Sequence, residues 1–227
     1  MTGLHEGPDG WSLSAEGAAV HSAARTAVVA DVHLGYDWAR ARGGDCVPAH
    51  SLDETIGLLD SLLGRIAVDR LIVAGDLVES RGYCRRTARD VAALTCWLVD
   101  RGVTLVALVG NHDPPRRPPL PATAEVAGWT IGHGHHRIHA SKTISGHHHP
   151  KLSARGVNAP CFLINASTIV LPAFSPNAAG VGLASIDLSV TVDHPSGPLH
   201  CVASSGGELL DFGPVTALLR ALQGDRV

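Results

Sequence analysis

Residues 26–35 read TAVVADVHLG: a five-residue apolar run that stops at a carboxylate and an imidazole two positions apart. The same grammar returns at 71–78, LIVAGDLV, and at 103–113, VTLVALVGNHD. Continuous runs of this kind, without polar alternation, are what strands buried on both faces look like. Between them lie longer stretches with helical spacing. From Leu52 to Ile66 the apolar residues Leu52, Ile56, Leu59, Leu63 and Ile66 recur at three and four, with Ser51 and Glu54 placed as a capping box. Thr87 to Asp100 reads as a second helix. Strand–helix–strand–helix–strand predicts parallel pairing through right-handed crossovers.

From Trp129 onward the pattern changes to short strand-like pieces with close turns: GWTIG, KTISG, CFLIN, STIVLP and GVGLASIDL, then a helix near Val215 to Leu222. A more antiparallel sheet is expected there, so the chain reads as α/β, with two packed sheets flanked by helices. The Pro-rich segment 114–128 is too short for a domain linker and reads as a loop. One domain over 1–227 is expected, with the motif core at 26–187 and a C-terminal strand and helix in 188–227.

Composition sets outer bounds. The 227 residues carry a formal charge of −3, 17% charged and 45% hydrophobic residues, which excludes a disordered chain and a strongly cationic coat protein. Residues 1–24 hold no apolar core of a secretory signal, and no apolar run approaches the roughly 20 residues of a bilayer span, so a cytoplasmic protein without membrane contact is expected. Five scattered Cys without a CxxC read as reduced thiols. The odd number is histidine: fourteen, seven of them between His133 and His149.

Each chemistry-bearing block follows a strand end: ADVHLG at 30–35, AGDLV at 74–78, VGNHD at 109–113, GHGHH at 132–136 and SGHHHP at 145–150. That edge of an open α/β sheet is where ligands bind. In extended backbone Asp31 and His33 would share one face, as would His147 and His149. Carboxylate, amide and imidazole donors without thiolate suit Mn²⁺, Fe or Zn²⁺ in an open catalytic site.

The ordered set DxH, GD, GNHD, a glycine-flanked His and GHxHP resembles the calcineurin-like metallophosphoesterase superfamily. Within it, ADVHLG at 30, CVP at 46, GHHHP at 146, PCFLI at 160 and LPAFSP at 171 resemble the small bacterial phosphoesterases associated with DNA ligase and their archaeal relatives. The resemblance implies a four-layer α-β-β-α sandwich and two divalent metal ions, Mn²⁺ first, with Fe or Zn²⁺ as alternatives. It implies Asp31, His33 and His149 as ligands of one ion, Asp76 as the bridge, and Asn111, His133 and His147 as ligands of the other. It further implies His112 as the acid that assists the leaving oxygen and Glu79 as the carboxylate orienting it.

Two ions about 3.5–4 Å apart would lower the pKa of a shared water for in-line attack on phosphorus. The expected substrate is a phosphodiester or phosphomonoester, extending to DNA or nucleotides in a repair-linked nuclease. A small-molecule or cyclic-nucleotide phosphoesterase and a non-catalytic metal- or phosphate-binding regulatory module are the other readings. Protein partners are not specified. His135, His136, His139 and His148 read as loop residues outside the ligand set, His148 pointing away from the metals. Two arginine clusters, Arg81 to Arg89 and Arg116 with Arg117, could hold phosphates or coat a solvated face. Tyr36, Trp38 and Trp129 could stack bases or fill the core.

Overall fold

In the computed structural model, residues 3–154, 156–187 and 197–224 are described. The chain opens with three strands, β1 (Leu4–Glu6), β2 (Trp11–Ser14) and β3 (Ala19–His21), before β4 (Thr26–Val29). Helices α1 (Tyr36–Arg42) and α2 (Ser51–Leu63) lead to β5 (Arg70–Val73), and α3 (Arg85–Val99) to β6 (Thr104–Ala107). The second half runs β7 (Thr123–Val126), β8 (Trp129–Gly132), β9 (Thr143–Ser145), β10 (Pro150–Ala154), β11 (Val157–Ile164), β12 (Thr168–Val170) and β13 (Val181–Gly182). It closes with β14 (His200–Ser205), β15 (Glu208–Pro214) and α4 (Val215–Gly224).

Two mixed sheets result. The first has the order β1-β2-β3-β4-β5-β6, antiparallel up to β4 and parallel across β4, β5 and β6. The second has the order β13-β10-β11-β12-β9-β8-β7, with β14 and β15 branching from β11. It is more parallel than the sequence suggests: β8, β9 and β12 pair in parallel, as do β10 and β13.

Strand alternation assigns the layers. Val28, Ala30, Ile72 and Ala74 face inward to meet Ile131, Ile144, Phe162, Ile169 and Trp129 of the second sheet. Their neighbours Ala27, Val29, Leu71 and Val73 face outward, onto Leu59 and Leu62 of α2 and Leu94 and Leu98 of α3. The far face of the second sheet, with Cys161, Leu163, Val170 and Cys201, is covered by Leu218, Leu219 and Leu222 of α4. Helices, sheet, sheet, helix: the four-layer α-β-β-α sandwich is the observed fold.

Several local expectations need correction. Ser51 does not cap α2; it lies inside the first turn, and the buried Asp37 of α1 accepts the main-chain N–H groups of His50 (3.1 Å) and Ser51 (3.0 Å) instead. Glu54 accepts from Asn177 (2.9 Å) rather than closing a capping box. The 114–128 loop contains β7. GVGLASIDL yields only the two-residue β13 and a 3₁₀ turn at Leu183–Ser185, and its last residue lies outside the described ones. In place of one C-terminal strand there are two, β14 and β15; residues 188–196 and 225–227 of that expected segment lie outside the description.

Candidate metal centre

All five chemistry-bearing blocks meet at one edge, where the parallel strands of both sheets end. Asp31 and His33 follow β4, Asp76 follows β5, Asn111 and His112 follow β6, His133 follows β8, and His147 and His149 follow β9. Asp31, Asp76, His33 and His133 are buried, at 0%, 2%, 5% and 2% exposure.

The route that brings them together is not the extended backbone expected from sequence. Asp31 (φ 56°), His33 (51°), Asp76 (51°), His147 (70°) and His149 (43°) all adopt left-handed conformations. Non-glycine residues avoid that region, and residues held there cluster at functional sites. Extended backbone would have placed Asp31 and His33 on one face by alternation; here each is turned into the site by a local left-handed kink. Gly110 serves the same edge by having no side chain: a Cβ there would run into the carboxylate and main chain of Asp76.

Two groups of donors form. In one, Asp31, His33 and His149 each present an atom within 4.8 Å of the others, with His149 Nε2 3.1 Å from Asp31 Oδ1. In the other, His133 Nε2 lies 3.0 Å from Asn111 Oδ1 and 3.2 Å from Asp76 Oδ2. Asp31 joins this second group too, its Oδ1 3.7 Å from His133 Nδ1, so Asp31 is the carboxylate common to both groups, while Asp76 stands in the second. Among the described residues His147 enters no such three-residue group; its ring centroid is 5.0 Å from that of His133, and its main-chain N–H donates to Asp31 Oδ2 (2.9 Å).

Donor chemistry fits divalent metal. Asp31 Oδ1 and both ring nitrogens of His33 are buried without a hydrogen-bond partner. Glu79 Oε2 is 2.9 Å from His33 Nδ1, but the contact is not aligned as a hydrogen bond. Leaving such groups unpaired costs about 1–3 kcal/mol each, a cost that a coordinated cation removes. Burial would push Asp76 up and His133 down, yet each outweighs it for the other: Asp76 is held below the ordinary carboxylate value and His133 above the ordinary imidazole value. His133 Nδ1 donates to the Ala74 carbonyl (3.0 Å), which turns Nε2 toward Asn111 and Asp76.

His112 donates its main-chain N–H to Asp76 Oδ1 (2.7 Å) and its Nδ1–H to the main-chain carbonyl of Glu79 (2.8 Å). A carbonyl only accepts, so Nδ1 carries the proton and Nε2 is the free ring atom. The orienting contact at position 79 is therefore a backbone one, while the Glu79 carboxylate turns to His33. His33, Glu79 and His112 form a third cluster of possible donors that the sequence did not suggest.

Sequence reasoning also missed Asp113. Its Oδ2 accepts the N–H groups of Asp76 (3.0 Å) and Gly110 (2.9 Å), and its Oδ1 accepts that of Val78 (3.2 Å). It clamps the Asp76 loop to the GNHD loop. The available signal was the fourth letter of GNHD, a carboxylate beside two candidate site residues. Among the other aromatics, Trp129 is core, edge-on to Trp11 and bonded to Asp9, whereas Trp38 lies under the Arg86 guanidinium at 4.7 Å. His148 stays near the site, its ring 5.4 Å from that of His147. His135 packs against His133 and His136, and burial with these neighbours pushes it down to about 4.

Fold and donor set together define a metal-dependent phosphoesterase. The chain belongs to the calcineurin-like phosphoesterase family, whose model matches residues 24–149. Among solved structures, the Pseudomonas putida nuclease MPE is similar, with a TM-score of 0.66 and 24% sequence identity over 91% of this chain and 100% of that one. A search of curated proteins finds no match. No helix among the described residues is long and apolar enough to cross a membrane.

Proposed function

We propose that the chain is a nuclease: a phosphodiesterase working with two divalent cations, Mn²⁺ before Fe or Zn²⁺, on nucleic-acid diesters. The observation that carries the two-ion reading is the pair of donor groups that share Asp31, with Asp76 in the second, and with Asp31 Oδ1 and the His33 ring nitrogens buried without a hydrogen-bond partner. Asp31, His33, Asp76 and His149 would hold one ion; Asp76, Asn111, His133 and His147 the other. Mixed carboxylate, amide and imidazole donors suit Mn²⁺. When bound, the ions supply Lewis acidity toward the phosphoryl oxygens and a water activated at neutral pH.

The chain's own residues do the rest. The Glu79 carbonyl fixes the His112 ring through Nδ1–H; in the imidazolium form Nε2 also carries a proton and would give it to the departing oxygen, leaving the neutral Nδ1–H tautomer. Asp113 ties the Asp76 loop to the GNHD loop, so the donor side chains of both are held in place in advance. Both sheets contribute, and we treat the whole chain as one catalytic domain. The nucleic-acid assignment draws on the similarity to a nuclease; a role in DNA repair is part of the same proposal.

The test is hydrolysis of an activated aryl phosphodiester and of DNA in Mn²⁺ by wild type, Asp76→Ala and His112→Ala. Turnover abolished by Asp76→Ala and strongly reduced by His112→Ala is expected; activity on the aryl ester that both variants retain would sink the assignment. A salt series separates a nuclease from a small-ester enzyme, since cleavage of long DNA weakens steeply with salt and small-ester hydrolysis barely responds.

A further inference from the structure

The chain is net acidic, yet arginines gather beside the metal centre where α1 ends and α3 begins. The segment 80–84 leaves Glu79 and passes into the first turn of α3; a second segment leaves Asp113 and carries Arg116. Thr87 of that first turn lies against Gly35, two residues from His33. Two cavities open here. One of ≈ 400 Å³ has Trp38, Arg42, Tyr83, Arg85 and Arg86 among its walls, and one of ≈ 330 Å³ has Val78, Tyr83, Thr87, Pro114 and Arg116. Tyr83 borders both, and at 81% exposure it is spent on no core.

The positive charge here is not neutralised by the protein. Arg42 donates to the Tyr83 carbonyl (3.2 Å) and Arg86 lies over the Trp38 ring, and neither they nor Arg85 or Arg116 pair with a carboxylate among the described residues. The nearby acids are committed elsewhere: Asp37 to the start of α2, Asp90 to Trp38 Nε1 (2.7 Å), and Asp45 to Arg40 (2.9 Å). A solvated helix face would need neither an aromatic ring standing free nor cavities shared between guanidinium groups. Unpaired arginines around an exposed aromatic are the combination that holds a nucleic-acid strand: guanidinium to phosphate, ring to base.

We propose that Tyr83, with Arg42, Arg85, Arg86 and Arg116 around it, is a strand-holding platform. Tyr83 stacks one unpaired base, and the arginines hold the phosphates of the strand as it leaves the metal centre past His112. This rests on the nuclease reading of that centre.

The test uses the Mn²⁺-loaded full chain with two probes. Binding is read by anisotropy on a labelled phosphorothioate oligodeoxythymidine that resists cleavage, and basal activity on a small aryl phosphodiester. Tyr83→Ala weakens strand binding about tenfold, as loss of one stacked base should, and Tyr83→Phe restores it. Arg85→Ala with Arg116→Ala flattens the dependence of log affinity on log salt by about 1.4, ~0.7 per lost phosphate contact. Both variants hydrolyse the aryl ester at the wild-type rate, since none of the three side chains lies in the metal centre. If Tyr83→Ala binds the strand as wild type does, or the double variant keeps its salt slope, the platform is wrong and the nuclease reading stands. If wild type hydrolyses the aryl ester but neither binds nor cuts nucleic acid, the nuclease reading fails and the platform with it.

Discussion

The two ends of the second sheet's architecture solve opposite problems. Under α4, the outer face packs Leu152, Cys161, Leu163, Val170 and Cys201 against Leu218, Leu219 and Leu222, and no residue of that cluster has a positive φ. At the metal edge, five of the seven proposed ligands sit in left-handed backbone, and three of those five, Asp31, His33 and Asp76, are buried. The first region is stable because its local conformation and its burial agree. The second is unfavourable in both respects and is held in place from outside: by Asp113 on three main-chain N–H groups, by the Ala74 carbonyl on His133, and by the His147 N–H on Asp31. Strain and unpaired donors are tolerated where a cation is to be bound.

The contrast can be broken at several points. The largest expected effect is from Asp76→Ala, which should lower turnover at least about a thousandfold, since it removes the proposed bridging ligand and with it several kcal/mol of charge stabilisation. Thermal unfolding should separate the two regions: Mn²⁺ raises the melting temperature of wild type and not of Asp76→Ala. Leu218→Ala, on the packed face of α4, should lower it by the same amount with and without Mn²⁺, at a cost of about 1–2 kcal/mol because Leu218 is only partly buried, and leave turnover per folded molecule unchanged. Equal Mn²⁺ stabilisation of wild type and Asp76→Ala would show that the edge is not organised around metal.

Asp113→Ala sharpens the comparison, because it touches no proposed ligand side chain and should still impair the site. It leaves three main-chain N–H groups without an acceptor, costs about 3 kcal/mol of stability and weakens Mn²⁺ affinity 10- to 100-fold by order of magnitude. Asp113→Asn, which keeps one acceptor oxygen, should recover part of the affinity. Calorimetric titration with Mn²⁺ measures both.

The smallest effect concerns Cys84, at the start of α3. Its burial pushes the thiol up, but hydrogen bonds from Thr87, Arg42 and Arg86 outweigh that and bring it down to about 7. Its alkylation rate should therefore rise through a midpoint near pH 7, with thiolate reacting above it. Cys161 and Cys201, buried under α4, should stay unreactive until the protein unfolds.

What was legible in the sequence follows the same division. TAVVA and LIVA announced their strands because burial on both faces leaves an unbroken apolar run, and VTLVALV reads the same way although β6 is only partly buried. Asp31, Asp76, Asn111 and His112 were legible because they follow such runs, and His133, His147 and His149 because glycine-flanked histidines follow the short strands β8 and β9. The N-terminal strands β1 to β3 were not, since pieces of three or four residues such as WSLS carry no period long enough to read. The cap of α2 was misassigned because Ser51 is adjacent in sequence, whereas the actual acceptor, Asp37, comes from another helix. The left-handed ligand backbone was invisible for a different reason: Asp and His at those positions are set by the chemistry required, not by the conformation they prefer.

The most direct measurement of the central claim is anomalous scattering from crystals loaded with Mn²⁺. The account predicts two sites, one ringed by Asp31, His33, Asp76 and His149 and the other by Asp76, Asn111, His133 and His147. A single ion, or one held by His33, Glu79 and His112 in place of the first, would contradict it.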